Sequence, residues 1–167
     1  MEPPSTHRIE VLDTTASGVS LGLAVELVRA VLGRHCKTPR AVELVLASGE
    51  KVQELNRRFR ALDSDTDVLS FPAAPLPGPP SAERALGEIV VSWDMAQRQA
   101  ALRGVEPELE IAWLALHGVL HLVGFDDESE ADRAAMLAEM NSIAQDQGLD
   151  PQQDWSSISA ESPGVES

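Results

Sequence analysis

A chain of 167 residues with 43% hydrophobic content suffices for one domain with one core, and with aromatics at 4% that core must be aliphatic. No run of about 18 apolar residues occurs, so no membrane span is expected. The net charge of −14 opposes nucleic-acid binding in general, yet residues 1–60 hold nine basic against seven acidic side chains while residues 61–167 hold four against twenty.

The first ten residues carry acid and proline and lack an apolar stretch, which argues against a secretory signal. Arg8 to Leu12 reads as a short strand. From about Val19 to Gly33, Leu23, Leu27 and Val31 recur at helical spacing, with Gly33 as the stop. Cys36 is the single cysteine, so no internal disulfide forms, and a cytoplasmic location is expected. Ala41 to Ala47 is apolar and rich in branched residues, a buried strand. Ser48 then caps a second helix in which Val52, Leu55 and Phe59 mark one face. Arg29, Arg34, Lys37 and Arg40 make one basic run, and Lys51, Arg57, Arg58 and Arg60 another.

Asp65 to Phe71 reads as a third strand, the five prolines of residues 72–80 as a loop, and Gly87 to Trp93 as a fourth strand. Asp94 opens a helix to about Leu102. Pro107 suits a first helical position, and Glu106, Glu108 and Glu110 suit its positive end, so a helix runs from there through Trp113 to His121 and stops at Gly124. Ser129 with Asp132 caps a last helix striped by Met136, Met140 and Ile143. From residue 148 the composition turns to Gln, Ser, Asp and Pro, an acidic tail expected to be disordered; Trp155 within it either docks on the domain or stays exposed.

The order β-α-β-α-β-β-α-α-α predicts a single α+β domain over residues 1–147, in αβα layers. Its small mixed sheet has four strands flanked by about five helices. Two crossovers favour parallel pairing of the early strands, and strands three and four suit antiparallel pairing.

The chemistry concentrates in residues 117–127, HGVLHLVGFDD. Two histidines four apart stand on one helix face, about 6 Å apart along its axis, and can share one metal ion. Gly124 can turn the chain sharply back, so Asp127, six residues after His121, can supply a third ligand. Asp126 is the nearest competitor for that role. Three protein ligands leave one position open, the pattern of a catalytic zinc. The bland alternative is a pair of hydrogen-bonded core histidines. Zinc peptidases carry H-E-x-x-H with the Glu as base, and Gly118 stands in that place here, which disfavours ordinary peptidase chemistry.

These motifs resemble the YbeY endoribonuclease family. HGVLHLVGFD at 117–126 reproduces its hallmark, LNRRFR at 55–60, TDVLSFP at 66–72 and LGEIVVS at 86–92 are similar to further family segments, and the helix around Met136 to Glu139 corresponds as well. The likeness spans roughly residues 8–147 in the same order. It implies one zinc per chain and a single-strand-specific endoribonuclease. The RNA would be ribosomal, particularly the 3′ end of the small-subunit RNA, with a role in ribosome quality control. It also implies ribosomal RNA and the small subunit as partners, with no DNA and no membrane. Arg60 matches the family's functional arginine, so Arg60 and His117 form the expected catalytic pair, with His117, His121 and Asp127 as metal ligands. The family usually has a third His at the place of Asp127. An aspartate is a legitimate zinc ligand, but it is anionic and hard and admits manganese or another divalent ion. Two other readings remain: a non-catalytic RNA-binding assembly factor with a structural metal, and a metal-dependent hydrolase of another substrate.

Overall fold

The computed structural model describes residues 7–61, 66–74, 84–153 and 155–157. Their elements follow the expected order: β1 (Arg8–Asp13), α1 (Gly22–His35), β2 (Arg40–Ala47), α2 (Gly49–Arg60), β3 (Val68–Pro72), β4 (Arg84–Ser92), α3 (Trp93–Arg103), α4 (Pro107–Leu122) and α5 (Glu130–Asp146). Capping side chains fix several starts. Ser48, Ser92 and Ser129 accept hydrogen bonds from the backbone N–H groups of Lys51, Met95 and Asp132, each satisfying a donor that the first helical turn leaves without a partner.

The four strands form one sheet in the order β1-β2-β4-β3. β1 and β4 run parallel to β2, and β3 runs antiparallel to β4. The first crossover therefore behaves as expected. The second does not: α2 delivers β3 to the sheet edge, reversed, and β4 takes the place beside β2. The residues explain the choice. Ile89, Val90 and Val91 of β4 are buried on both faces of the sheet, as suits an interior strand. β3 ends in Pro72, which lacks a ladder donor and is tolerated on an edge.

One sheet face carries Val42, Leu44, Leu46, Ile89 and Val91 and packs with α1 and α4 in the main core. The other carries Ala47, Leu69 and Val90 and meets Val52 of α2 in a smaller cluster. These are the expected αβα layers. α4 is the centre: every residue from Glu110 to Leu120 is buried, and α1, α3, α5, β3 and β4 all touch it. A helix apolar on all sides must be enclosed in this way, and the enclosure holds His117 in place.

Other expectations shift. α1 continues two residues past Gly33 to His35. Trp93 opens α3 instead of closing β4, because the cap falls on Ser92. Phe59 does not join Val52 on a buried face: Val52 is fully buried, whereas Phe59 is 62% exposed. Asp65 and Pro75, Pro77, Pro79 and Pro80 lie outside the described residues. Within the segment expected as tail, Leu149 packs against the core and Trp155 is buried, stacked on Trp113 with ring centroids 6.0 Å apart. The indole N–H of Trp155 donates to Glu110.

Candidate metal centre

The site begins with the last two turns of α4. His117 and His121 lie one turn apart and their rings meet edge to face, with Nε2 atoms 3.0 Å from each other. α4 closes with Gly124 at φ 111°, a conformation that glycine adopts without strain. There Phe125 N–H bonds back to the Leu120 carbonyl and Gly124 N–H to that of His121. The turn does two things. It aims the Phe125 carbonyl at His121 Nδ1, 3.1 Å away, so that this nitrogen carries the proton and Nε2 keeps its lone pair. It also sends the chain back over the helix end, where Asp127 Oδ2 stops 3.4 Å from His117 Nε2 and 3.3 Å from His121 Nε2.

Asp126 does not compete. Its Oδ1 accepts from the backbone N–H groups of Asp127 and Glu128, so it shapes the turn and leaves the site to its neighbour. Arg133 of α5 completes the support by donating to the carbonyls of Asp127 and Glu128. The close approach of His117, followed by that of His121, holds the Asp127 carboxyl well below the usual carboxylate range, against the opposing effect of burial.

These three side chains form a group that could bind a metal ion. A tetrahedral zinc with bonds of about 2.0–2.1 Å needs donor atoms about 3.3 Å apart, and the separations of 3.0, 3.3 and 3.4 Å match that edge length. Two imidazole nitrogens and one carboxylate oxygen suit zinc and also harder divalent ions. Among the described residues the group has no fourth member.

The cluster opens into a cavity of about 370 Å³, whose wall includes His117, His121, Asp127, Arg60 and Ser157. Arg60 thus reaches the same space from the end of α2, its guanidinium donating to the Ser70 carbonyl on β3 at 3.0 Å. All four residues expected from the sequence therefore meet at one cavity.

Several partners of the site were not anticipated. Ser70 Oγ donates to the Gly118 carbonyl at 3.0 Å, pinning α4 to β3 beside His117. Gly118 has no room for a side chain: a Cβ there would lie 2.8 Å from the Ile89 Cγ2 methyl and 3.0 Å from Ser70 Oγ. Trp155 sets its ring 5.4 Å from that of His117. The glycine after His117 was the one available signal, and it reports close packing of helix on sheet.

Comparison with known proteins shows the family of the chain. The family model described as Endoribonuclease YbeY matches residues 17–148. An Endoribonuclease YbeY of Roseiflexus sp. is 37% identical over 150 residues, covering 86% of this chain and 94% of that one. A Synechocystis sp. protein of the same description is 42% identical over 106 residues, 60% of this chain and 59% of that one. The solution structure of a Thermotoga maritima protein superposes with a TM-score of 0.54 at 25% identity, covering 84% of this chain and 91% of that one. With the matched span enclosing α4, its turn and Asp127, the chain belongs to the endoribonuclease YbeY family.

Proposed function

We propose that the protein is a metal-dependent, single-strand-specific endoribonuclease that matures ribosomal RNA, with the 3′ end of the small-subunit RNA as its target, and takes part in ribosome quality control. Membership of the family supports RNA cleavage. The observation that carries the metal dependence is the convergence of His117 Nε2, His121 Nε2 and Asp127 Oδ2 within 3.4 Å of one another, on a cavity that Arg60 shares. Ribosomal RNA and the small subunit are the corresponding partners, and the cytoplasm the corresponding location. No helix among the described residues is long and apolar enough to cross a membrane.

In this reading His117, His121 and Asp127 hold the ion. When bound, it supplies Lewis acidity toward a phosphate oxygen and toward water. His121 is kept in the binding tautomer by the Phe125 carbonyl. Arg60 offers a fixed, permanently charged fork to phosphate oxygens, holding the scissile group and stabilising the negative charge that builds there. His117, its ring 5.4 Å from that of Trp155, is the least exposed of the three ligands. Peptidase chemistry of the H-E-x-x-H kind has no place on this helix, because Gly118 packs directly on β4.

The test is cleavage of a labelled single-stranded RNA and its duplex by zinc- or manganese-loaded protein. Cleavage of the single strand, sparing of the duplex, and loss of activity in Arg60→Ala with metal content unchanged are expected. Undiminished cleavage by Arg60→Ala would remove Arg60 from the mechanism. No cleavage by the metal-loaded protein would favour a non-catalytic RNA-binding assembly factor.

A further inference from the structure

We propose that Phe59 and Phe71 form a stacking platform for an unpaired base of the RNA, next to the phosphate held by Arg60; the inference rests on the endoribonuclease reading above. Phe59 is 62% exposed at the end of α2. Val52 of the same helix is fully buried, so a large apolar ring is left facing solvent where the helix has a buried side available. Phe59 is not isolated. Its ring meets that of half-buried Phe71 at 5.7 Å and 69°, edge to face. The Arg58 guanidinium lies over Phe59 at 5.4 Å, and that of Arg60 over Phe71 at 6.0 Å.

Position connects the pair to the cavity. Arg60 both lies over Phe71 and lines the cavity with His117, His121 and Asp127, and Pro72, next after Phe71 on β3, lines it too. The aromatic pair thus begins one guanidinium away from the metal-ligand cluster. Charge adds the second argument. The chain is strongly acidic, yet α2 carries four basic side chains against two acidic ones, and Arg57, Arg58 and Arg60 crowd its last turn.

An exposed ring backed by a half-buried one and flanked by guanidinium groups is what a single strand needs. Every base offers a π-face for stacking, and the arginines neutralise the backbone between bases. Bases in a duplex are already stacked and paired and cannot reach such a platform. Selection for single strands would then reside in Phe59 and Phe71 and not in the metal centre. Residue 59 has no contact role in holding the ion, so its effect is separable from that of the ligands.

Stopped-flow fluorescence anisotropy, read before cleavage, tests this on the metal-loaded full chain with two labelled strands: a single-stranded RNA and an abasic strand of the same length. Stacking of one base predicts that Phe59→Ala binds the base-bearing strand about tenfold more weakly. Affinity for the abasic strand should stay unchanged and Phe59→Trp should restore binding, while Arg60→Ala weakens both strands. Equal binding of the base-bearing strand by wild type and Phe59→Ala would overturn the platform, as would an equal loss on the abasic strand or no RNA binding by the wild type. Binding that follows this pattern without any strand cleavage would leave the platform standing and refute the nuclease reading.

Discussion

Replacing Gly118 by alanine places two opposed effects in one residue. In an ordinary helix interior the change is favourable by about 1 kcal/mol, because alanine loses less backbone freedom on folding. At Gly118 the new Cβ would lie 2.8 Å from the Ile89 methyl, 3.0 Å from Ser70 Oγ and 3.4 Å from the Val68 methyl. Neither neighbour is free to move: Ile89 is wholly buried in an interior strand, and Ser70 Oγ is bonded to the Gly118 carbonyl. Overpacking of this kind costs about 1–3 kcal/mol, so Gly118→Ala should be destabilised by about 1 kcal/mol net, a fall in Tm of roughly 2–4 °C for a chain this size. Gly33 is the internal control, since it is helical and nothing lies within 4 Å of its Cβ position. Gly33→Ala should therefore gain about 0.5 kcal/mol. Thermal denaturation of the two variants side by side checks the sign. A Gly118→Ala protein stabilised as much as Gly33→Ala would refute the close-packing argument and, with it, the reason given for the missing H-E-x-x-H glutamate.

Two further predictions concern the sheet and the chain end. Glu88 lies opposite Glu43 on neighbouring strands, and the hydrogen bond between them, then burial, pushes the Glu88 carboxyl up to about 7. Because the folded protein binds this proton more tightly than the unfolded chain does, the contribution is full below about pH 4.5 and is lost as pH rises through about 7. Tm measured across that window should fall for the wild type and fall less for Glu88→Gln; parallel curves would show that the two carboxyls share no proton. Trp155→Ala, which removes a 5% exposed side chain stacked on Trp113, should cost about 3–4 kcal/mol and roughly 10 °C in Tm. An unchanged Tm would mean that this segment does not dock in solution.

Local features were the legible ones. The spacing of His117 and His121 follows from helix geometry, and the Gly124 turn that returns Asp127 follows from backbone conformation. Both could be read from eleven consecutive residues, and the structure brings those three side chains together. Helix caps at Ser48 and Ser129 were legible for the same reason. What depended on distant pairing was not. The insertion of β4 between β2 and β3 reflects competition among strands for the sheet interior. The Ser70 bond to Gly118 and the contact of Trp155 with His117 join residues far apart in sequence. Phe59 misled because its helical spacing from Val52 and Leu55 is that of a buried face, while the small cluster that takes in Val52 and part of Leu55 does not include Phe59. Net charge carries no information about place: Arg57, Arg58 and Arg60, a basic run visible in the sequence, gather in the last turn of α2 of an acidic chain.

The most direct test of the account is metal stoichiometry by elemental mass spectrometry on the purified protein after exposure to zinc or manganese, alongside His121→Ala and Asp127→Ala. About one equivalent in the wild type, lost in both variants while their folds persist by circular dichroism, is the predicted result. A wild type that takes up neither ion, or variants that bind as much metal as the wild type, would contradict the His117, His121 and Asp127 centre.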